Sequence, residues 1–518
     1  MPRFCPASLQ EVKNTLIRSI RSLPPDKSVK DPSRDFTRPK KLSVYDTMFA
    51  VIAMGGGSSD NEICSVFKDS DNPATLSALI QRRAQLKDSA FSDLFYSFTG
   101  VCPVSFHPTL RDPEICDVDG TAINIIYNNK DKSSFIERKD GKGHNQLHCV
   151  AVFNASTGYF IDGVIQNAHD KNENLAFTTM ADRAAGNSRA RLYIGDRLFS
   201  SYNNMAHCVE NDTCFLFRCK DITSSTSIFA SLDIDLSKGQ EFDIDVRIIL
   251  SHLPEKKVRQ MHPELWDNNR YVIFRYIGKD RTFDYLSEEK PVYTMHVRAV
   301  RFRLPQKINR DVDDLTKAAA EDRPDIQMQS GEKESGPEKE PLQGDENVSG
   351  VEESSKESSK ESSKESPKES PNKENYELLV TNLSRDYFNT ERVKDLYWRR
   401  WPIELTFRTL KWAISLSYTH SRKKEYIHQE IWARLILFNF INACVSLVTV
   451  TRKEKNKYEY KINIVKAVHS CRQFLIGYFS EEKAWNCIRR RLTPIRPDRI
   501  FPRNIKPQGA KTFLYRGC

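Results

Sequence analysis

Apolar positions recur at helical spacing through the first hundred residues and then change to strand-like alternation. Residues 9–23 open the helical region, followed by a largely apolar run over 40–54 and a third segment over 74–86. The second run stops at Gly55-Gly56-Gly57, which we read as flexible backbone after a helix and not as a phosphate loop, since no Lys-Ser/Thr follows. From about residue 112 the pattern predicts a strand over 115–126 and a hairpin of 148–154 with 159–165. A helix over 173–186 comes next, then apolar strands over 192–197 and 215–218. The order β-β-β-α-β is that of a mixed sheet flanked by helices. Alternation over 242–250, 271–276 and 292–303 predicts a separate antiparallel β insertion, with Arg298, Arg301 and Arg303 facing outward or toward a ligand. A strand over 376–383 and a long buried helix over 427–450 complete the pattern.

Composition interrupts this pattern once. Ser-Ser-Lys-Glu copies run from Ser354 through Glu365 and degrade into Pro-containing copies, in a stretch with almost no apolar side chains. Such a segment cannot build a core and is expected to be a disordered linker over 311–375. It also hides a charge asymmetry. Residues 311–374 hold 19 acidic and 9 basic side chains, a net of −10, so the rest of the chain carries +20 against the overall +10. A body that basic points to a polyanion, most plausibly nucleic acid. The twelve cysteines are scattered without C-x-x-C; Cys208, Cys214 and Cys219 cluster but lack a paired His, so reduced, mostly buried thiols are expected. The N-terminus has no apolar leader, and the longest apolar run, 435–450, contains Asn439 and Asn442; neither a secretory signal nor a membrane span is expected.

The chemistry gathers around Tyr397, Arg400, Glu404 and Lys411. On one uninterrupted helix these lie roughly at 0°, 300°, 340° and 320°, an arc of about 60°. A face carrying a phenol, a guanidinium, a carboxylate and an ammonium suits metal and phosphate together. Pro402 removes a backbone donor inside this stretch and is expected to start or kink a helix. If the break is sharp, the arc holds only for Glu404 and Lys411. Asp196 closes an apolar strand, where an ionised group is costly unless paired or metal-bound. Asp119 and Asp117 share one face of the first strand, and Asp117 is the rival metal ligand; Asp162 reads as a hairpin or strand-end residue. The C-terminal tail, with Arg489, Arg490 and Arg491 and then Arg496, Arg499, Arg503 and Lys506, is basic and interleaved with Pro and aromatics, as in a segment lying along phosphates.

Asp119-Gly120-Thr121, Ile194-Gly195-Asp196-Arg197 and the Tyr397/Arg400/Glu404/Lys411 pattern together resemble the type-four insertion-sequence transposases, bacterial DDE enzymes bearing a Tyr-Arg-Glu-Lys signature. Leu378-Leu379-Val380-Thr381-Asn382-Leu383 and the ending from Arg496 to Pro507 support it. The resemblance implies an α/β fold: an RNase H-like mixed sheet flanked by helices and interrupted by the antiparallel β insertion, with a helical N-terminal domain and a helical C-terminal region. The expected division is a helical DNA-binding domain over 1–105, catalytic core over 106–220, β-rich insertion over 221–310, linker over 311–375, and second core part with basic helical region over 376–518. The carboxylates stand 77 and 208 residues apart, the second interval enlarged by the linker. The implied site has Asp119, Asp196 and Glu404 as catalytic metal ligands. Two Mg²⁺ ions, with Mn²⁺ as a substitute, would be bridged by Asp119 and completed by Asp196 and Glu404 respectively. Tyr397, Arg400 and Lys411 would hold DNA phosphates, with Trp266 as a candidate for stacking on a flipped base. The implied partners are double-stranded DNA, both element ends and target, and a second copy of the chain in a synaptic homodimer. No membrane partner is expected, and the expected location is the cytoplasm, at the nucleoid. Two other classes share these features: a domesticated or inactive DNA-binding protein, and a structure-specific nuclease without strand transfer.

Overall fold

The computed structural model describes residues 8–67, 74–102, 113–138, 142–187, 189–236, 241–267, 270–278, 283–304, 376–400, 402–450 and 458–495. The expected linker over 311–375 and the basic tail from Arg496 onward lie outside the described residues. The described residues up to Phe302 and from Glu377 onward form one compact unit.

The alternating segments form a ten-stranded sheet. Its strands are β1 (Glu114–Ile125), β2 (Phe135–Ile136), β3 (His144–Asn154), β4 (Tyr159–Asn167), β5 (Arg191–Gly195), β6 (Cys214–Cys219), β7 (Phe242–Ser251), β8 (Val272–Tyr276), β9 (Val292–Arg303) and β10 (Tyr376–Thr381). The order is β2-β3-β1-β5-β6-β10-β9-β7-β8, with β4 also on β3. Strand β1 pairs antiparallel with β3 and parallel with β5; β5 pairs parallel with β6, and β10 antiparallel with β6.

Two departures from the expected insertion stand out. Strands β7–β9 do not form a sheet of their own but extend this one through β10. And β7 runs parallel to β8, which are connected through the helix Glu255–Met261; only the β7–β9 pair is antiparallel. Alternation reports which face a side chain takes and carries no information on strand direction, so the sequence pattern could not separate the two pairings. Arg298 and Arg301 are corrected as well. Both are buried, Arg298 on Asp243 and the Phe388 carbonyl, Arg301 on Asp221 at 2.8 Å.

Side-chain alternation divides the core in two. Cys116 and Val118 of β1 face a layer with Phe177, Met180, Met205, Phe215 and Phe217. The helices Glu173–Arg183 and Tyr202–Glu210 supply part of it; the second was missed because Asn203 and Asn204 mask its apolar side. Ile123, Ile125, Leu147 and Phe153 face the opposite layer, made by helices from both ends of the chain. Leu9, Val12 and Leu16 of helix Leu9–Arg21 and Phe91 and Phe95 of helix Ala90–Val101 pack there with the long helix Lys424–Leu447. That long helix is apolar nearly all round, and its burial explains why. It is long and apolar enough to cross a membrane, but most of it lies inside this core.

Buried charges bind the two ends together. Arg83 reaches Glu430 at 3.0 Å, Gln429 at 3.1 Å and the Tyr426 carbonyl at 2.8 Å. Arg434 donates to the Met54 and Gly55 carbonyls and Arg472 to the Ala53 carbonyl. These guanidiniums cap the helix Val44–Ala53 at the triple glycine, and the Arg472 guanidinium fills the space a Cβ on Gly55 would need. The glycines thus end a helix, as the sequence reading has it.

Candidate active site

The face of the sheet toward the C-terminal helices collects acidic groups for a simple reason of register. Asp117 and Asp119 alternate with Cys116 and Val118, so they point away from the layer that holds those two. Strands β1 and β5 run parallel with Val118 opposite Gly195, which sets Asp119 level with Asp196, the residue ending β5. Asp196 is held by its own turn, its Oδ1 accepting from the Leu198 amide at 2.9 Å.

The third carboxylate arrives from a broken helix. Helix Thr390–Trp398 ends, Arg399 and Arg400 turn, and a new helix runs Pro402–Arg408 before a π-helical turn over Thr409–Ala413. Pro402 starts the second helix where its missing amide costs nothing. The single helical face expected for Tyr397, Arg400, Glu404 and Lys411 is therefore not formed: they occupy a helix, a turn, a second helix and a π-turn. Ile403, Phe407 and Leu410 anchor the segment in the core, which leaves Glu404 and Lys411 half-buried over the sheet.

The charges of these groups act on one another. Burial pushes the Asp119 carboxyl up to about 6; the Gly120 amide and Arg400 oppose this, while Asp196 and Glu404 reinforce it. Burial likewise pushes Asp117 up to about 8, against Arg400 and with Asp119. Asp117 is fully buried, and neither of its oxygens has a hydrogen-bond partner. Arg400 is the counter-charge to the whole group. It lies 3.5 Å from Glu404, and although burial opposes its charge, Tyr397, Asp119, Glu404 and Asp196 together raise its pKa. Burial pulls the Lys411 ammonium down, with Asp119 and Cys149 acting against that. Tyr397 is buried, its ring 5.9 Å from the Arg400 guanidinium.

Asp162, read from the sequence as a hairpin or strand-end residue, and Trp266, a candidate for base stacking, have surroundings of their own. Asp162 is buried on β4, where it accepts from Tyr96 at 2.7 Å and pairs with Arg183 at 3.1 Å. Trp266 lies in the insertion under Arg259, 4.3 Å from ring centre to guanidinium. Two pairs were missed. Behind β1, the His148 Nε2 lies 2.9 Å from the Glu173 carboxylate, and a Cβ on Gly120 would come within 2.6 Å of that nitrogen. Glycine in Asp119-Gly120-Thr121 is required by that close approach. Beside Asp196, Arg218 pairs with Glu377 at 2.7 Å. The signal for Arg218 was available: it breaks an apolar strand at the same place that Asp196 ends its neighbour.

The family model described as "Transposase DDE domain" matches residues 110–440. The chain belongs to the DDE transposase family. No curated protein matches it. Among solved structures, the cryo-EM structure of a piggyBac transposase synaptic complex with hairpin DNA is similar at 8% identity and a TM-score of 0.34, over 97% of this chain and 88% of that one. So distant a likeness fixes nothing about the site of this transposase.

As they stand, no three acidic, His or Cys side chains among the described residues are grouped closely enough to hold an ion. The donor set nevertheless fits a hard divalent cation. Asp119, Asp196 and Glu404 are all-oxygen ligands whose mutual repulsion is felt at Asp119, and one guanidinium offsets them.

Proposed function

We propose that this transposase is of the type-four insertion-sequence kind, with an RNase H-like core, and that it cuts and joins DNA at the inverted repeats ending its element. The observation that carries this is the convergence of Asp119, Asp196 and Glu404 on one sheet face under a shared Arg400. The meander of β1, β3 and β4 followed by parallel β5 and β6 supports the RNase H-like reading. Asp119, Asp196 and Glu404 would hold two Mg²⁺ ions, with Mn²⁺ as a substitute. When bound, such ions supply nucleophile activation and neutralise the departing oxygen.

The chain's own residues do the rest. Arg400 and Lys411 bring positive charge to the phosphate being cut, and Tyr397 packs behind Arg400 and fixes its approach. Burial around Asp119 keeps bulk water from screening these charges. The net +20 outside residues 311–374 suits duplex DNA, both element ends and target, and strand transfer between paired ends implies a homodimer.

The test is cleavage of the element's own end duplex in Mg²⁺, wild type beside Glu404→Ala. Nicking and joining by wild type, with binding and no chemistry in the variant, supports the reading. Equal, sequence-specific binding by both without cleavage in any divalent metal means a domesticated DNA-binding protein. Cutting of branched DNA without end preference means a nuclease.

A further inference from the structure

Strands β5 and β6 are parallel, with Gly195 opposite Phe217, so one step further sets Arg218 level with Asp196. Phe215, Phe217 and Cys219 face the layer away from the site. By alternation Arg218 faces the site side, and so does Glu377 on β10, whose Leu378 and Val380 belong to the far layer. Strand β10 is fixed in register against β6: Asn382 accepts from the Phe215 amide and donates to the Thr213 carbonyl, both at 2.9 Å. Asp119, Asp196 and Arg218 therefore run in a row across three adjacent strands, and Glu377 sits diagonally beyond them on β10, where Leu379 is the residue opposite Arg218.

Glu377 is almost wholly buried, and its Oε2 has no hydrogen-bond partner. Its Oε1 takes the Arg218 Nη2 at 2.7 Å, and the charges of Arg218, Arg400 and Arg197 all act on it. Arg218 is the cation paired with this carboxylate, and Arg400 and Arg197 act on it through their charge. A guanidinium has five N–H donors, and this pair engages Nη2. A third of the Arg218 side chain is exposed (34%), whereas Glu377 is not. A buried acid gripping a part-exposed base is the arrangement that aims a cation at a ligand instead of neutralising it.

We propose that Arg218, aimed by the buried carboxylate of Glu377, contacts a backbone phosphate next to the bond being cut, on the Asp196 side of the site. This rests on the transposase reading and adds to it a substrate contact outside the Tyr-Arg-Glu-Lys pattern. Arg218 is a substrate-binding residue and Glu377 a positioning residue.

The experiment uses the full chain and a duplex carrying the terminal repeat and flank taken from the DNA bordering the gene. Binding is measured in Ca²⁺ across a salt series, and cleavage in Mg²⁺, for wild type, Arg218→Ala, Arg218→Lys and Glu377→Gln. Arg218→Ala is expected to weaken binding about tenfold and to lower the log–log salt slope by about one. Arg218→Lys restores the slope without the full affinity, because a point charge replaces a fork. Glu377→Gln keeps the slope, since Arg218 keeps its charge, but raises KM with little change in kcat. A purely structural pair would move the melting temperature and leave the salt slope alone. If Arg218→Ala does not fold, the affinity of Arg218→Lys and the KM of Glu377→Gln decide. Wild-type affinity and slope in the Arg218 variants, with wild type cutting normally, overturn the inference and leave the function standing. Wild type that neither binds nor cuts the end duplex overturns both.

Discussion

Two regions of this transposase bury charge, and they treat it in opposite ways. Where Arg83, Glu430, His420 and Ser421 meet between the chain ends, each charge has a partner. Burial works against the Glu430 carboxylate, but bonds from His420 and Ser421 and the charge of Arg83 hold its pKa well below the usual range. On the sheet face, Asp117 and Asp119 are held above that range, and Arg400 answers several acids at once. Buried ions that serve the fold are matched; those on the sheet face are left short of positive charge. That deficit is what a divalent cation or a phosphate-bearing strand with its ions would relieve.

Breaking the matched region carries the largest expected cost. Removing one partner, as in Arg83→Ala, strands Glu430 and is expected to cost about 3–5 kcal/mol, read as a large fall in the denaturation midpoint. The deficit region is expected to respond the other way. The native chain keeps protons on Asp117 and Asp119 that an unfolded chain, with carboxyls near about 4, releases. Stability contributed by these groups is present at low pH and is lost as pH rises from about 4 through about 6 for Asp119 and about 8 for Asp117. Asp117→Asn should therefore flatten the fall in melting temperature between these limits and gain over wild type at pH 8. A wild-type fall that the variant reproduces in full would show that Asp117 is not the source. Mg²⁺ should raise the melting temperature of wild type above pH 6, and Asp119→Asn should abolish that rise. Gly120→Ala drives a methyl group onto His148 and Glu173; we expect a cost of about 1–3 kcal/mol with a larger loss of cleavage, since β1 carries Asp119. The smallest effect is expected at Ser43, whose side chain and Asp46 form a reciprocal cap on the helix Val44–Ala53; Ser43→Ala should cost about 1 kcal/mol without touching activity.

Much of the layout was legible because period-two and period-3.6 patterns are direct consequences of burial on one side. Strands β1, β3, β4, β5 and β6 and the long helix Lys424–Leu447 follow from them within a few residues. What was not legible depends on partners that arrive from elsewhere in the chain. The pattern turned Arg298 outward or toward a ligand because nothing in it shows Asp243, 55 residues away, that covers it. Arg218 was visible as a strand-ending base, yet its meaning comes from β10, which joins the sheet after the long interval to Glu377. The angular argument for Tyr397 through Lys411 assumed a continuous helix; Pro402 and the π-turn break it, and the groups converge through tertiary packing instead.

The shared helical layer has a consequence for synthesis. Lys13 bonds the Phe474 carbonyl, and Leu9, Val12 and Leu16 are covered by a helix beginning at Lys424. During translation the first helices emerge with no surface to cover them until nearly the whole chain has left the ribosome. A product terminated before Lys424 leaves those apolar stripes exposed. It is expected to be cleared by proteases. The transposase thus carries a built-in check on its own completeness.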